Sequence, residues 1–516
     1  MSQTAGQAAA PARADAQAWL SVAAGTIGAL MATLDISITN AALPVIQGEI
    51  GASPTEATWV STAYLVAEIV MIPLTGWFSR IFGIRDFLLL STVLFTAFSV
   101  MCGMSSSLTM MIVGRIGQGF FGGAMIPTAL TIVSTRLPPA QQPIGIALFG
   151  MTAVLGPVVG PLLGGWLTEH VSWHYAFFLN IPVGIGLVGL LFFGLHKERL
   201  NPAAFWRADW LGIFGLSLAL GALTVVLEEG QRDMWFDSPL IRGLSAATVL
   251  GLIALLIGQK RAAEPVIDLS ILKGRAFFGV FVLSLSLGAG LYGVLYLIPQ
   301  FLAAVPGYNA QQSGVIVLIS GVPTMMIMPF FPWLVRHLDL RLAVAGGMAL
   351  FAWGCWVDIT LTAQSSGDDF TLSQVLRGFG QGFALLFLNQ AAASSVPPEK
   401  AEDASGLFNA ARNLGGSVGL SMIATLQDRR GSFHAERLAE ALPAGSPQLQ
   451  GLLHGDGGTP QALALKLQLA ARVITEQALV MTFNDLFYVF ALLLFVCIPL
   501  AVLLRPLPKG AGLAIH

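Results

Sequence analysis

The chain has 516 residues, of which 55% are hydrophobic and only 10% are charged, and its mean hydropathy is +0.75. Because soluble domains carry about 25% charged residues, this composition indicates an integral membrane protein. The net charge of −2 is not that of a nucleic-acid-binding protein, which typically carries a basic surface. The three cysteines lie singly in apolar runs, which excludes a disulfide framework and a C-x-x-C zinc or redox site.

Residues 1–18 are predicted to form a cytoplasmic tail rather than a cleaved signal peptide. The segment is rich in alanine and nearly neutral. The apolar run that begins near Trp19 is too long for the hydrophobic region of a signal peptide, and it reaches Asp35 without a small-residue cleavage site. A second cytoplasmic tail is predicted for residues 505–516.

A helix that crosses a bilayer needs about 20 predominantly apolar residues. The chain offers fourteen such segments, so we predict an all-α membrane protein with fourteen transmembrane helices. The predicted spans are 19–43, 57–79, 87–106, 108–134, 142–168, 173–195, 209–228, 240–259, 277–303, 311–335, 341–363, 370–396, 402–427 and 476–504.

Lys and Arg in the connecting segments predict the orientation, since short cytoplasmic loops collect them. One set of connections is rich in basic residues, whereas the short loops of the other set contain only Arg232 and Arg242. The even number of spans then places both termini in the cytoplasm. The long connection 428–475 also carries basic residues, but a loop of that length can cross the membrane regardless of its charge.

Two patterns occur twice and predict an internal repeat. A Trp-Arg-Arg triplet that starts at Trp77 recurs with the same spacing at Trp333, 256 residues later. Arg115-Ile-Gly-Gln-Gly-Phe in the fourth span returns, with one residue inserted, as Arg377-Gly-Phe-Gly-Gln-Gly-Phe in the twelfth. Parallel repeats of this kind are typical of transporters built from two similar bundles. We therefore predict six-helix bundles at 19–195 and 277–504, and two inserted helices with their linkers at 196–276.

The long outer connection has two interpretations. Its segments 433–442 and 461–475 are predicted to be helical, with a proline- and glycine-rich stretch between them. The segments form either a docking surface for a partner outside the cytoplasm or a helical cap that packs on the transporter itself.

Charged side chains inside a membrane are costly and are commonly functional. Asp35 lies about two-thirds of the way along the first span, with Asn40 close to its helical face. Desolvation at that depth favours the protonated carboxyl unless a cation compensates it. The residue is therefore a candidate proton carrier, and the alternative is a structural hydrogen bond to a neighbouring helix.

Three further intramembrane charges belong to the predicted site. Glu68 lies in the middle of the second span without a cation three or four residues away, and it is interpreted as a proton site or as a binder of cationic substrate. Arg115 cannot lose its proton, so it needs a partner such as Asp35 or Glu68. That pairing would either tune proton affinity or hold helices together. Arg377 mirrors Arg115 without an obvious carboxylate in the ninth span, which favours a structural role.

Polar, aromatic and basic side chains in the spans predict an adaptable substrate cavity, although several of them could instead serve packing. The candidates for its lining are Asn40, Tyr64, Tyr292, Tyr296, Arg377 and Arg412. The sequence contains neither a phosphate-binding loop nor histidines at metal-ligand spacing. We therefore predict no cofactor and no metal.

The fifth span carries small residues at intervals of four, which allow helix backbones to approach closely, and prolines that bend a helix. The residues predicted to act in this packing are Gly156, Pro157, Gly160, Pro161, Gly164 and Gly165.

These residues also carry a family resemblance. The segment Leu34-Asp35-Ile-Ser-Ile-Thr-Asn40-Ala-Ala-Leu-Pro44 is similar to a first-helix signature, and Arg115-Ile-Gly-Gln-Gly119 to a motif linked with proton coupling. Gly156 to Gly165 is similar to an antiporter motif, and Trp173-His-Tyr-Ala-Phe-Phe-Leu-Asn180-Ile-Pro182-Val-Gly184 to a segment typical of one subgroup. Together they resemble the fourteen-helix drug:proton antiporters of the EmrB/QacA type in the major facilitator superfamily, with EmrB-type proteins the most similar.

The resemblance implies a proton-driven multidrug efflux antiporter that exports hydrophobic or amphipathic compounds by alternating access. It also implies a location in the inner membrane, together with a periplasmic adaptor and an outer-membrane channel of the TolC type. Arg80 stands where the superfamily usually has Asp, and EmrB-type proteins also carry a basic residue there. An uptake symporter of the same fold remains an alternative, and a polytopic membrane enzyme or sensor subunit is a more distant one.

Overall fold

The computed structural model describes residues 14–262, 265–440 and 460–505. Most of the first predicted tail and almost all of the second lie outside these residues. In the described parts of the chain, the regular structure consists of seventeen α-helices and short 3-10 segments. The helices are α1 Ala16–Ile50, α2 Pro54–Phe82, α3 Ile84–Gly103, α4 Leu108–Arg136, α5 Gln142–His170, α6 His174–Phe178, α7 Asn180–Gly194, α8 Pro202–Trp206, α9 Trp210–Glu229, α10 Pro239–Arg261, α11 Arg275–Ala304, α12 Ala310–Ile327, α13 Phe331–His337, α14 Leu340–Val357, α15 Thr371–Ser394, α16 Ala401–Glu440 and α17 Pro460–Cys497.

Local capping residues explain where the long helices begin and end. The side chain of Ser53 accepts a hydrogen bond from the backbone of Glu56, and the Glu56 carboxylate accepts one from the backbone of Ser53. This reciprocal capping box satisfies backbone donors at the start of α2. Gly51 and Gly83 follow the ends of α1 and α2 with φ of 67° and 77°, a conformation that glycine adopts without steric cost.

The predicted count of fourteen spans is supported only in part. Among the described residues, eleven helices are long and apolar enough to cross a membrane, and the bent α5 makes a twelfth. The predicted spans 370–396 and 402–427 form helices α15 and α16, but neither is among the apolar spans. Both are rich in Gly, Ala and polar residues because much of their surface is buried in the protein rather than exposed to lipid.

The helix α5 bends by 40° between 142–157 and 159–170, next to Pro157, and it packs against α1. A β-carbon on Gly160 would stand 2.2 Å from the β-carbon of Ser37, and one on Gly164 would stand 2.7 Å from the carbonyl oxygen of Ile38. Glycine at these positions therefore permits the close approach of the two backbones. The predicted packing does not extend to Gly165, where a β-carbon would meet no atom within 4 Å.

The two parts of the chain that carry the predicted bundles meet along two seams. At one seam α5 contacts α12, α13 and α15, and at the other α16 contacts α2 and α4. The helices α9 and α10 pack on each other, and α9 also contacts α2 and α16. The inserted pair thus covers the second seam. The division into two six-helix bundles and two inserted helices remains a prediction.

The long outer connection begins as a continuation of a predicted span. The helix α16 runs without a break from Ala401 to Glu440, and α17 is already helical from Pro460 onward. A helix can continue beyond the membrane, so the start of the outer connection at residue 428 stays a prediction, whereas residues 433–440 and 461–475 are helical as predicted. The Asp485 carboxylate accepts hydrogen bonds from Arg430 Nε at 2.6 Å and His434 Nε2 at 2.7 Å, and these contacts hold α16 and α17 together. The part of the predicted connection at 441–459 lies outside the described residues.

Replacing Gly160 with alanine should destabilise the contact between α1 and α5. The added β-carbon overlaps that of Ser37, and overpacking of this kind costs about 1–3 kcal/mol. The measurement is thermal unfolding of the detergent-purified protein. Gly165→Ala is the matched control on the same helix, because its β-carbon would enter open space. Equal melting temperatures for the two variants would contradict this packing role.

Candidate functional site

Asp35 is the centre of a buried polar cluster on α1. Its side chain is fully buried, and Arg115 Nη1 donates to its Oδ2 atom at 2.5 Å. Its other oxygen, Oδ1, accepts hydrogen bonds from Gln118 Nε2 at 3.0 Å and Asn180 Nδ2 at 2.7 Å. Both amides also donate to Ser99 Oγ, at 3.1 and 2.8 Å. The carboxylate is thus neutralised by a cation and stabilised by neutral donors, as a buried charge requires.

The Arg115 guanidinium connects this cluster to the second helix. Its Nε atom donates to the carbonyl oxygen of Val60 at 3.1 Å, and its Cζ atom lies 4.2 Å from the centre of the Tyr64 ring. The Tyr64 hydroxyl in turn donates to the carbonyl oxygen of Ala32 at 3.3 Å. Helices α1, α2, α4 and α7 are therefore joined through one arginine and one carboxylate.

The sequence left open whether Arg115 pairs with Asp35 or with Glu68, and the structure shows that it pairs with Asp35. The sequence reasoning missed Gln118, Asn180 and Ser99. Two signals for them existed: Gln118 belongs to the repeated Arg115 motif, and Asn180 is a polar residue within the apolar subgroup segment.

The second part of the chain contains a similar pair, with its carboxylate in an unexpected place. Arg377 Nη1 donates to Asp358 Oδ2 at 2.5 Å, and both side chains are 1% exposed. Ser373 Oγ and Gln374 Oε1 accept further hydrogen bonds from the guanidinium at 2.7 and 3.2 Å. Asp358 follows the end of α14, so the partner of Arg377 comes from the eleventh predicted span rather than the ninth.

A cavity of about 190 Å³ lies between the two parts of the chain. Its walls come from α1, α2, α4 and α5 on one side and from α11, α12, α15 and α16 on the other. Its charged lining residues are Glu68 on α2 and Arg412 on α16. Both side chains are buried, with relative exposures of 2% and 5%. Neither forms a hydrogen bond or an ion pair with any other residue in the described parts of the chain.

The structure separates the predicted cavity residues into two groups. Asn40, Tyr292 and Arg412 line the cavity. Three other candidates are absent from the lining among the described residues: Tyr64 packs under Arg115, Tyr296 is 46% exposed, and Arg377 lines a smaller adjoining pocket with its ion pair. Asp35 also faces away from the cavity, although its helix neighbours Ile36 and Ser37 contribute to the wall.

Contacts close the cavity at the end of the molecule where α2 ends and α16 begins, here called the arginine-rich end. The Ser405 hydroxyl donates to the carbonyl oxygen of Pro127 at 2.9 Å. A β-carbon on Gly150 would stand 2.5 Å from Leu386, so α5 and α15 also touch there. Asn40, on the other side of the cavity, is exposed and accepts a hydrogen bond from Ser61.

The linker after the inserted helices takes part in this closure. Arg80 Nη2 donates to the carbonyl oxygen of Val266 at 3.3 Å, and the backbone N–H of Asp268 donates to Asp403 Oδ2 at 3.2 Å. Lys400 Nζ lies 2.5 Å from Asp268 Oδ2. Burial opposes ionisation of Asp268, but the hydrogen bonds from Lys400 and Ser270 outweigh it and hold the pKa of that carboxyl below its ordinary value. The pair consequently stays ionised at physiological pH.

Comparison with known proteins places this architecture in a family. The sequence profile described as Major Facilitator Superfamily matches residues 25–420. The chain belongs to the major facilitator superfamily. It is 34% identical over 486 residues to the colistin resistance protein EmrB of Acinetobacter baumannii, a match that covers 93% of this chain and 94% of the relative. It is 33% identical over 494 residues to the multidrug export protein EmrB of Escherichia coli K12, covering 94% and 95%.

Among solved structures, the human organic anion transporter MFSD10 is similar, with a TM-score of 0.58 and 16% identity over 92% of this chain and 99% of that chain. At that identity the likeness shows the fold alone. As a member of the major facilitator superfamily with EmrB-type relatives, the protein is a multi-pass membrane transporter rather than an enzyme.

The Asp35–Arg115 pair should be much more important to stability than an exposed ion pair of the same protein. Arg115→Met leaves the Asp35 carboxylate buried without a cation, which costs about 3–5 kcal/mol. Adding Asp35→Leu should restore a large part of that loss, since the double variant contains no uncompensated charge. The measurement is unfolding of the purified protein in detergent.

A matched control is available at the surface. Arg136 and Glu198 lie 3.4 Å apart with side chains that are 30% and 43% exposed, so Arg136→Met should cost less than about 1 kcal/mol. If Arg115→Met were no more destabilising than this variant, the structural role assigned to the buried pair would be wrong.

Proposed function

We propose that this chain is a proton-driven antiporter that exports hydrophobic and amphipathic compounds through the central cavity by alternating access. The relatives are named as multidrug export and colistin resistance proteins. One observation carries the proposal for this chain: Glu68 is a buried carboxyl that faces the cavity and has no ion-pair or hydrogen-bond partner among the described residues. Such a group can exchange a proton between the two orientations of the cavity without breaking an internal ion pair.

In this mechanism Glu68 carries the proton, and the Asp35–Arg115 pair positions the surrounding helices. Asp35 is already engaged by three donors and is shielded from the cavity, so its contribution to proton coupling is indirect. Arg115 contacts the backbone of α2 at Val60, two turns before Glu68. A proton on Glu68 and a substrate in the cavity must favour opposite states of the transporter for the two fluxes to be exchanged.

The closure at the arginine-rich end supports a direction for the cycle. That end collects the basic residues that short cytoplasmic loops favour, so we assign it to the cytoplasm, together with both termini. The contacts at Ser405, Gly150 and Asp268 then separate the cavity from the cytoplasm. This is the state in which an exporter releases its substrate and takes up a proton. Substrate loading requires these contacts to open.

The same assignment supports a pump that spans two membranes. The helical hairpin formed by the end of α16 and the start of α17 lies at the end opposite the cytoplasm. It is braced by the contacts of Asp485 with Arg430 and His434. We propose that the protein is the inner-membrane subunit of a tripartite pump and that this hairpin contacts a periplasmic adaptor, which leads to an outer-membrane channel of the TolC type.

The proton coupling can be tested in proteoliposomes with an imposed inside-acidic gradient. Addition of an exported compound should dissipate the gradient with wild-type protein. Glu68→Gln should abolish this dissipation, because the amide cannot carry a proton. Asp35→Asn leaves the buried Arg115 guanidinium without its carboxylate, so it should destabilise the helix packing and reduce the rate. Substrate-dependent dissipation should nevertheless remain measurable in the protein that stays folded, because Glu68 still carries the proton.

The alternatives give different results in the same assay. Unchanged dissipation with Glu68→Gln would remove Glu68 from the mechanism. Complete loss with Asp35→Asn, in protein that remains folded, would transfer the proton-carrying role to Asp35. Movement of substrate and protons in the same direction would make the protein an uptake symporter.

The hairpin can be separated from transport itself. Deleting residues 433–472 and joining the ends with a short flexible linker should preserve substrate-driven proton release in proteoliposomes, since the cavity is untouched. Export from whole cells should nevertheless fall, because without the adaptor contact the exported compound would no longer pass directly into the outer-membrane channel. Unchanged export from cells would show that the hairpin is a cap without an adaptor role.

A further inference from the structure

The central cavity has one charged side chain on each of its two walls. Glu68 projects from α2 in the first part of the chain, and Arg412 from α16 in the second. The other arginines that are buried among the described residues, Arg115 and Arg377, each hold a carboxylate at 2.5 Å. Arg412 holds none, and its Nε atom is buried without a hydrogen-bond partner. No salt bridge joins Glu68 and Arg412 in the described parts of the chain, although the Arg412 guanidinium lies close enough to attract the Glu68 carboxylate across the cavity.

This arrangement leaves two opposite charges that a ligand can satisfy. A guanidinium stays protonated even when buried, and a buried cation without a partner is costly. The cost falls when a carboxylate from a ligand pairs with it. An ionised carboxylate on the opposite wall has the complementary need for a cation.

The remainder of the lining suits an amphipathic molecule between the two charges. Leu291, Leu295, Val317 and Leu385 form an apolar surface on the wall that also carries Arg412. The side-chain amides of Gln381 and Asn40 also line the cavity, and they can orient the polar group of a ligand without adding charge. A ligand with one positive and one negative group would neutralise both walls at once and leave the cavity electrically neutral.

We propose that the cavity is a binding site for amphipathic zwitterions, with Arg412 holding the anionic group and Glu68 the cationic group. The inference rests on the proposed function, because it assigns the substrate class of the same cavity. The inference also explains how protons are exchanged for substrate. A proton that binds Glu68 neutralises the partner of the cationic group, so the proton and the zwitterion compete for one carboxylate. A ligand that bridges the walls also contacts both moving parts of the transporter.

The test uses three ligands that share one apolar group and differ only in charge. Naphthylalanine carries an ammonium and a carboxylate, naphthylethylamine only the ammonium, and naphthylpropionate only the carboxylate. Their dissociation constants are measured by calorimetry with detergent-purified protein at neutral pH and without a gradient. The wild-type protein should bind naphthylalanine at least about tenfold more tightly than either singly charged compound, as expected for charge-assisted hydrogen bonds.

Variants of the two charged residues should change this preference in opposite ways. With Arg412→Gln, naphthylalanine and naphthylethylamine should bind equally, since the carboxylate no longer finds a cation. With Glu68→Gln, naphthylalanine and naphthylpropionate should bind equally. Arg412→Lys and Glu68→Asp are the matched controls, because each preserves the charge and should preserve the preference for naphthylalanine.

Two results would overturn the inference. The first is equal binding of naphthylpropionate and naphthylalanine to the wild-type protein, which would define a simple anion site. The second is an equal loss of affinity for all three ligands in Arg412→Gln, which would mean that this residue shapes the cavity without recognising a carboxylate. Thermal unfolding verifies that each variant is folded. Because binding is measured without a gradient, failure of antiport in proteoliposomes would leave the zwitterion preference intact, and the two proposals fail separately.

Discussion

The arrangement of charged side chains in this transporter is governed by the free-energy cost of placing a charge in a medium of low dielectric constant. Asp35 and Arg115 meet that cost together: the 2.5 Å ion pair, completed by the amides of Gln118 and Asn180, draws side chains from three helices to one point. Breaking it would leave a buried charge without compensation, so the helices around it are fixed relative to one another. Arg377 and Asp358 do the same in the second part of the chain. Each pair thereby fixes the helices that it joins relative to one another, as the proposed movement of one part of the chain against the other requires.

The cavity follows a different rule, because its two charged side chains attract each other across the space without forming a salt bridge. Glu68 and Arg412 project from different parts of the chain and have no partner among the described residues. Side chains that are already paired cannot respond to a proton or a ligand without losing that pairing, whereas unpaired ones can respond at low cost. The division of labour between paired structural charges and unpaired cavity charges connects the fold with its proposed chemistry.

Many residues of the site could be predicted from the sequence, but the directions in which their side chains point could not. The sequence indicated Asp35, Glu68 and Arg115 because charge is rare in apolar segments, and it offered Asp35 as one of two partners for Arg115. It could not show that Asp35 faces away from the cavity, since helix rotation depends on packing between segments distant in the chain. For the same reason Tyr292 lines the cavity, whereas Tyr296 on the same helix does not. By analogy with Asp35 in the first span, the internal repeat indicated the ninth span as the place for a carboxylate that pairs with Arg377. The structure shows that this carboxylate is Asp358, after the end of α14.

The helix α16 has a mechanical consequence. It is continuous for 40 residues, which corresponds to about 60 Å at 1.5 Å per residue. Asp403 stands near its first turn at the closed end, Arg412 faces the cavity, and His434 contacts α17 near its other end. If α16 moves as a rigid rod, a small tilt about its closed end near Asp403 displaces Glu440 several times as far as Arg412, because Glu440 lies much farther along the helix. In the proposed cycle, a movement of α16 at the cavity wall would therefore produce a larger displacement at its outer end.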